Sequence, residues 1–262
     1  LPAGIGFATL RACLKLLLGF GPGRSGVFSA GNGPAMRSAL IGVCVAQESQ
    51  LKEFVRRSTR ITHTDPKAEQ GALLVAQAAG LRARTSKADP IDFFSRAAAE
   101  VEDDELRCTL TAAKDALALG KTPREFAVSQ EWHRGVSGYI CHTVPAALYC
   151  WAYSPNDFRQ CVENAVMLGG DTDTVGAIAG AVCGANLGSD ELPADWLSHL
   201  AEWPRGIEWM RRLAQVLARD GENQSEQSVP AMHWLASIPR NVVFATVVLS
   251  LGLRRLLPPY GD

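Results

Sequence analysis

Apolar residues recur along the chain at spacings of three and four, a period that predicts helices almost throughout. It is visible in GFATLRACLKLLLGF (6–20), MRSALIGVCVAQ (36–47), SQLKEFVRRSTRIT (49–62), KAEQGALLVAQAAGLRAR (67–84) and DFFSRAAAEV (92–101). It continues in DELRCTLTAAKDALAL (104–119), TVPAALYCWAY (143–153), NDFRQCVENAVML (156–168) and GIEWMRRLAQVLA (206–218). No stretch alternates as a half-buried strand does, so the expected fold is all-α, built from many short helices. Helix starts are signalled by Asp89-Pro90, Thr122-Pro123 and Ser154-Pro155-Asn156-Asp157, and stops by Gly80 and Gly120. RDGENQSEQS (219–228) reads as a surface loop. The apolar run NVVFATVVLSLGL (241–253) is too short to span a bilayer and is read as a buried helix.

Composition narrows the class. Apolar residues make up 47% of 262, enough for a sizeable core, and no interior linker interrupts the pattern, so residues 1–262 are read as one domain. A net charge of −1 with scattered basic residues gives no footprint for nucleic acid or an anionic membrane. Seven cysteines (13, 44, 108, 141, 150, 161 and 183) form no CxxC pair and sit mostly in helical patterns, as reduced thiols of a cytoplasmic protein would. The N-terminal LPAGIGFATLRACLKLLLGFG lacks the features of a signal peptide.

Two glycine-rich segments break the helical rhythm, SGVFSAGNGPAMR (25–37) and RGVSGYICHTVP (134–145). Such clusters either turn the chain or bring backbone N–H groups close to a phosphate or ribose, and both readings stand. A third segment, LGGDTDTVGAIAGAVCGANLG (168–188), puts two carboxylates and two hydroxyls at the mouth of an apolar run. Asp171 is placed to cap a helix from about Thr172 to about Ala185, where the macrodipole favours negative charge. Asp171, Asp173 and Thr174 form a hard oxygen cluster suited to Mg²⁺ or Mn²⁺ rather than zinc; a capped core helix with an acidic first turn is the alternative. Gly176, Gly180 and Gly184 repeat every four residues, each costing about 1 kcal/mol of helix stability relative to Ala, which predicts a neighbouring helix at close range. Asp171 to Val175 also fits the DxDx[TV] pattern of haloacid-dehalogenase-like phosphatases, but that motif follows a strand and CVENAVMLGG is helical.

Taken together, SAGNGPAMR (29–37), STRITHTDPKAEQGALLVAQA (58–78), GVSGYICHTVPAALYCW (135–151), LGGDTDTVGAIAGAVCGA (168–185) and RNVVFATVVLSLGLRRLLPPY (240–260) resemble the ADP-ribosylglycohydrolase family, relatives of dinitrogenase-reductase-activating glycohydrolase. The resemblance implies a compact, orthogonal multi-helix globule with two Mg²⁺ or Mn²⁺ ions in a central cleft, hydrolysing the glycosidic bond that joins ADP-ribose to a protein side chain or small molecule. It implies metal ligation by Asp171, Asp173 and Thr174. It also implies an ADP-ribose pocket lined by Val27, Phe28, Ser29, Ala30, Gly31, Asn32, Gly33, His63, Gly135, Val136 and Tyr139. On bland readings His63 caps a turn with Asp65 and Pro66, Tyr139 is a core aromatic, and Asn32 holds a left-handed turn.

Two departures from the family pattern bear on function. Members open with an acidic segment that completes the metal site, whereas LPAGIGFATLRA resembles the helix after it, so the chain reads as N-terminally truncated with half of the metal site absent. Relatives with activity often carry an aromatic where Ala30 stands, and Phe28 is near enough to substitute. No general acid is evident, and the catalytic residue is unassigned. Three functions therefore stay open: a glycohydrolase, a non-catalytic ADP-ribose-binding protein, and a crystallin-like structural homologue.

Overall fold

In a computed structural model, the structure describes residues 6–84, 89–219, 230 and 234–256. Among them there is no β-strand, only helices, turns and isolated bridges, so the fold is all-α. The chain divides into two compact units, Gly6–Pro193 and a second made by Ala194–Asp262 with Leu1–Ile5. The helical pattern over 67–84 splits at Gly80, and residues 220–228 of the expected loop lie outside the described residues.

The first unit carries α1 (Phe7–Leu17), α2 (Pro22–Ser25), α3 (Ala35–Cys44), α4 (Glu48–Arg60), α5 (Pro66–Ala79), α6 (Leu81–Arg84), α7 (Pro90–Glu100), α8 (Asp104–Ala118), α9 (Pro123–Ser129), α10 (Ile140–Tyr153), α11 (Phe158–Met167) and α12 (Thr172–Leu187). Its caps follow the sequence signals. The side chains of Asp65, Asp89, Asp103 and Asp157 each accept a first-turn N–H, and Thr122 forms a reciprocal capping box with Glu125. In all five the cap residue is extended, with ψ between 100° and 158°. Gly120, at φ +66°, ends α8 as Lys121 N–H returns to the Ala116 carbonyl.

Helix α10 is the central element, buried along most of its length and packed on α5, α8, α11 and α12. Trp151 and Tyr149 on it, and Phe94 and Phe126 on its neighbours, are fully buried, each worth about 1.5 to 3 kcal/mol of apolar transfer. Tyr149 stacks on Phe126 at 4.2 Å, and Trp151 meets the edge of Phe93 at 5.8 Å. Small residues let α3 and α5 approach closely: a Cβ on Gly42 would lie 1.9 Å from the Ala76 carbonyl oxygen. This packing fixes the starts of α3, α10 and α12, where the candidate site lies.

The second unit holds α13 (Ala194–Ser198), α14 (Ile207–Arg219) and α15 (Ser237–Leu256). The expected helix over 241–253 is present within α15, but its burial is not: Val242, Val243, Leu249 and Leu253 are each 60% exposed or more. Apolar residues occur on every side of that run, so hydropathy alone does not place it against a core. Among the described residues no helix is long and apolar enough to cross a membrane.

Candidate functional site

Three isolated bridges stitch together four segments that are far apart in sequence. Val27 pairs with His63, Gly31 with Tyr139, and Val136 with Gly170. Each bridge is a pair of backbone hydrogen bonds or part of one. Val27 N–H donates to the Thr62 carbonyl and Thr64 N–H to the Val27 carbonyl, while Asn32 N–H donates to Gly138 and Ile140 N–H to Ala30. Val136 N–H donates to Gly169, and Asp171 N–H returns to Val136 at 2.7 Å. The two glycine-rich segments and the acidic helix mouth, flagged separately in the sequence, thus form one junction.

Asn32 is the side chain at its centre. It is 9% exposed, and its Nδ2 donates to Thr143 Oγ1 at 3.0 Å and to Asp171 Oδ2 at 2.6 Å. Its φ is not positive, so the left-handed-turn reading does not apply. Gly138 lies beside this contact, where a Cβ would come within 3.2 Å of Asp171 Oδ2. Asp171 occupies the N-cap position of α12, yet its carboxylate accepts no helix N–H. The expected cap is therefore absent, and the reason is local. Gly170 at φ +78° and the bond to Val136 hold Asp171 at ψ 58°, outside the extended range of the five capping residues. The carboxylate turns instead to Asn32 and to the Thr174 hydroxyl, which donates to Oδ1 at 3.0 Å.

This geometry bears on a divalent ion. Neighbouring oxygens in an octahedral shell with metal–oxygen distances of about 2.0 to 2.1 Å lie about 2.8 to 3.0 Å apart. Asp171 Oδ1 and Thr174 Oγ1, hydrogen-bonded at 3.0 Å, are both hard donors, and Asp173 is exposed one helical position before Thr174. Such oxygens are the kind that hard divalent cations take.

His63 sits beneath the first glycine loop. It is 2% exposed, with Nδ1 2.8 Å from Thr62 Oγ1, and its ring fills the space where side chains on Gly31 and Gly33 would stand, 3.0 and 3.1 Å away. Burial, reinforced by the nearby Arg37, lowers its pKa to about 4, so the ring is neutral at pH 7. The turn-capping role suggested for it belongs to Asp65, which caps α5. Above the loop Phe28 is 79% exposed; Ser29 and Ala30 are half-buried, and Ser29 Oγ accepts the Gly31 N–H at 3.3 Å.

Tyr139 is half-buried rather than a core aromatic. Its hydroxyl donates to Glu105 at 2.6 Å and accepts from Lys67 at 2.7 Å, while Lys67 pairs with Glu105 at 2.5 Å and Asp103 at 3.5 Å. These hydrogen bonds, to Glu105 first, hold the Lys67 ammonium well above its usual range. Asp103, Glu105 and Cys141 present ligand atoms within 4.8 Å of one another. The Lys67 ammonium already pairs with both carboxylates, and burial pushes the Cys141 thiol up to about 11, so it is protonated at neutral pH. As a cation site it is a poorer fit than the mouth of α12.

Sequence reasoning missed Arg37, Thr143, Lys67 and Glu105. Arg37 carried a signal, a lone charge within the apolar pattern of α3; the others are joined to the site only by the tertiary fold.

The fold and the junction define a class of all-helical proteins whose polar site is assembled from loops between helices. The chain belongs to the ADP-ribosylglycohydrolase family, whose profile matches residues 1–227. It is similar to ADP-ribosylhydrolase ARH3 of Homo sapiens, at 29% identity over 232 residues, covering 76% of this chain and 61% of that protein. It is likewise similar to ADP-ribosyl-[dinitrogen reductase] glycohydrolase of Rhodospirillum rubrum, at 29% over 175 residues, covering 65% and 51%. Among solved structures, a chain of an "ADP-ribosylglycohydrolase-related protein complex" superposes with a TM-score of 0.57 at 26% identity, covering 74% of this chain and 62% of that one. The chain spans between about half and three fifths of the length of these relatives.

Proposed function

We propose that this chain binds ADP-ribose over the joined Val27–Gly33 loop and Gly135–Tyr139 segment, and that Asp171, Asp173 and Thr174 hold Mg²⁺ or Mn²⁺ beside it for hydrolysis of an ADP-ribosyl glycosidic bond. In this reading residues 1–262 are one family domain acting on ADP-ribosylated proteins or small molecules in the cytoplasm. The observation that carries it is the 2.6 Å hydrogen bond from Asn32 to Asp171, which joins the ligand loop to the acidic mouth of α12.

A divalent ion held by Asp171, Asp173 and Thr174 would supply Lewis-acid stabilisation of charge developing at the ribose. The chain's own residues orient the reactants. The loop N–H groups and the neutral His63 shape the anion side. Exposed Phe28 offers a stacking face for the base, and Asn32 holds Asp171 Oδ2, leaving Oδ1, beside Thr174 Oγ1, as the oxygen that would hold an ion.

Calorimetry with ADP-ribose and, separately, with Mn²⁺ tests this reading. Wild type binds both, Asn32→Ala weakens both, and Asp171→Asn weakens Mn²⁺ by about tenfold, as loss of one anionic ligand implies. Absence of heat for either ligand overturns the assignment. Chelator-sensitive turnover of ADP-ribosyl-arginine or ADP-ribosyl-serine identifies a hydrolase; binding without turnover identifies the non-catalytic ADP-ribose-binding alternative.

A further inference from the structure

Arg37, in the first turn of α3, is half-buried behind the Val27–Gly33 loop, and its guanidinium is spent on neutral acceptors. One Nη donates to the Gly33 carbonyl at 3.0 Å. The other donates to the Ser58 carbonyl at 2.7 Å and Thr62 Oγ1 at 2.8 Å, and Nε donates to Ser58 Oγ at 3.1 Å. Among the described residues no carboxylate pairs with it. Burial lowers its pKa with no charged group acting against that. Asp65, the nearest acidic residue along the chain beyond Thr62, is occupied in capping α5. A half-buried cation without a counter-ion is costly, and four neutral hydrogen bonds satisfy its donors without neutralising its charge.

The surroundings say what that charge is for. Thr62 Oγ1 touches both Arg37 and His63 Nδ1, and His63 lies directly under Gly31 and Gly33, so the guanidinium is coupled to the loop by two routes, through the Gly33 carbonyl and through the Thr62–His63 pair. The loop contacts the carboxylate of Asp171, with Asp173 two residues further along the chain, and negative charge there repels an arriving anion. His63, being neutral, supplies no compensation.

We propose that Arg37 is a positioning residue for an anion at this loop: it fixes Gly33 and the Thr62–His63 pair and supplies the positive potential that a pyrophosphate on the loop requires. The inference rests on the ADP-ribose reading above, in which the pyrophosphate is the charged part of the ligand. A purely structural Arg37 would tie α3 to the end of α4 and serve charged and uncharged ligands alike.

The test uses the full chain, free of divalent ions, with inorganic pyrophosphate, ADP-ribose and adenosine as NMR titrants. In wild type, pyrophosphate shifts the amides of Gly31, Asn32 and Gly33. Arg37→Met weakens pyrophosphate and ADP-ribose by about tenfold or more, the size expected of a half-buried unit charge acting over several ångströms, while adenosine changes less than about twofold. Arg37→Lys, which keeps the charge and loses the fork, recovers most of that loss. The His63 titration, read from its ring protons, moves up from about 4 in Arg37→Met. Equal weakening of all three ligands, a Lys variant as poor as Met, or an unmoved His63 overturns the proposal and leaves Arg37 a strut. Wild type that binds pyrophosphate but not ADP-ribose overturns the functional reading alone, and wild type that binds no pyrophosphate overturns this inference.

Discussion

Glycine does different work in two regions of this protein. At the α11/α12 interface, Cβ atoms on Gly176, Gly180 and Gly184 would meet side chains at 3.2 to 3.4 Å, the nearest being Val166, Val162 and Phe158 of α11. At the crossing of the second glycine segment with the mouth of α12, the opposing atoms are backbone: a Cβ on Gly135 would lie 2.3 Å from Gly170 N, and one on Gly170 would lie 2.2 Å from the Val136 carbonyl oxygen. Both of those glycines also have positive φ, +91° and +78°. The regular glycine repeat is conspicuous in sequence, yet the stricter constraint falls on the irregular pair. A side chain opposite a Cβ has rotamers and can yield; a bridged backbone has neither freedom.

The largest effect is therefore expected from Gly170→Ala. It combines positive-φ strain with a backbone clash, and should cost about 3 kcal/mol or more in urea unfolding while releasing Asp171 from its turn. A cost below about 1 kcal/mol would show that the crossing is pliable and erase the contrast.

The first glycine loop provides the next test through His63, which Gly31 and Gly33 enclose. Its folded pKa of about 4 lies below the ordinary 6.5, so between those values the unfolded chain binds the extra proton. Stability is then full above about pH 6.5 and falls as pH drops toward 4, by about 2 to 3 kcal/mol from this group. The difference between wild type and His63→Gln in unfolding free energy across that range isolates the contribution; parallel curves would refute it.

On the helical side, Gly180→Leu should cost about 1 to 3 kcal/mol through overpacking against Val162 and Phe158. Gly180→Ala is the smallest change expected. The single methyl gains about 1 kcal/mol of helix propensity, and a slight shift of Val162 accommodates it, leaving a net effect within about 1 kcal/mol of zero in the same assay. A large loss here would place the two glycine regions on an equal footing.

The same contrast explains what could be read from the chain. Helices α3 to α5, α7, α8, α10 and α11 follow from apolar spacing, α9 and α12 were signalled by their starts, and Asp89, Thr122 and Asp157 were legible as caps because capping is local chemistry. The segments meeting at the candidate site were legible as interruptions of that spacing. Their mutual geometry was not. Asp171 has the sequence of a cap and fails to cap because Val136, 35 positions earlier, holds its backbone away from the extended range. Apart from the Gly33 carbonyl four positions before Arg37, the partners that bring Arg37 and Lys67 into the site are 21 to 72 residues distant, and no periodicity encodes such a pairing.

Helix α15 has a practical consequence at the bench. The chain's mean hydropathy of +0.01 suggests an unremarkable column profile, but Val242, Val243, Leu249, Leu251 and Leu253 are each more than half exposed on one element. Retention on a phenyl or butyl resin is governed by such concentrated apolar area rather than by the chain average, and excluded salts strengthen it. A preparation of this chain should elute late in a falling ammonium sulfate gradient and lose solubility at high salt before most proteins of similar composition.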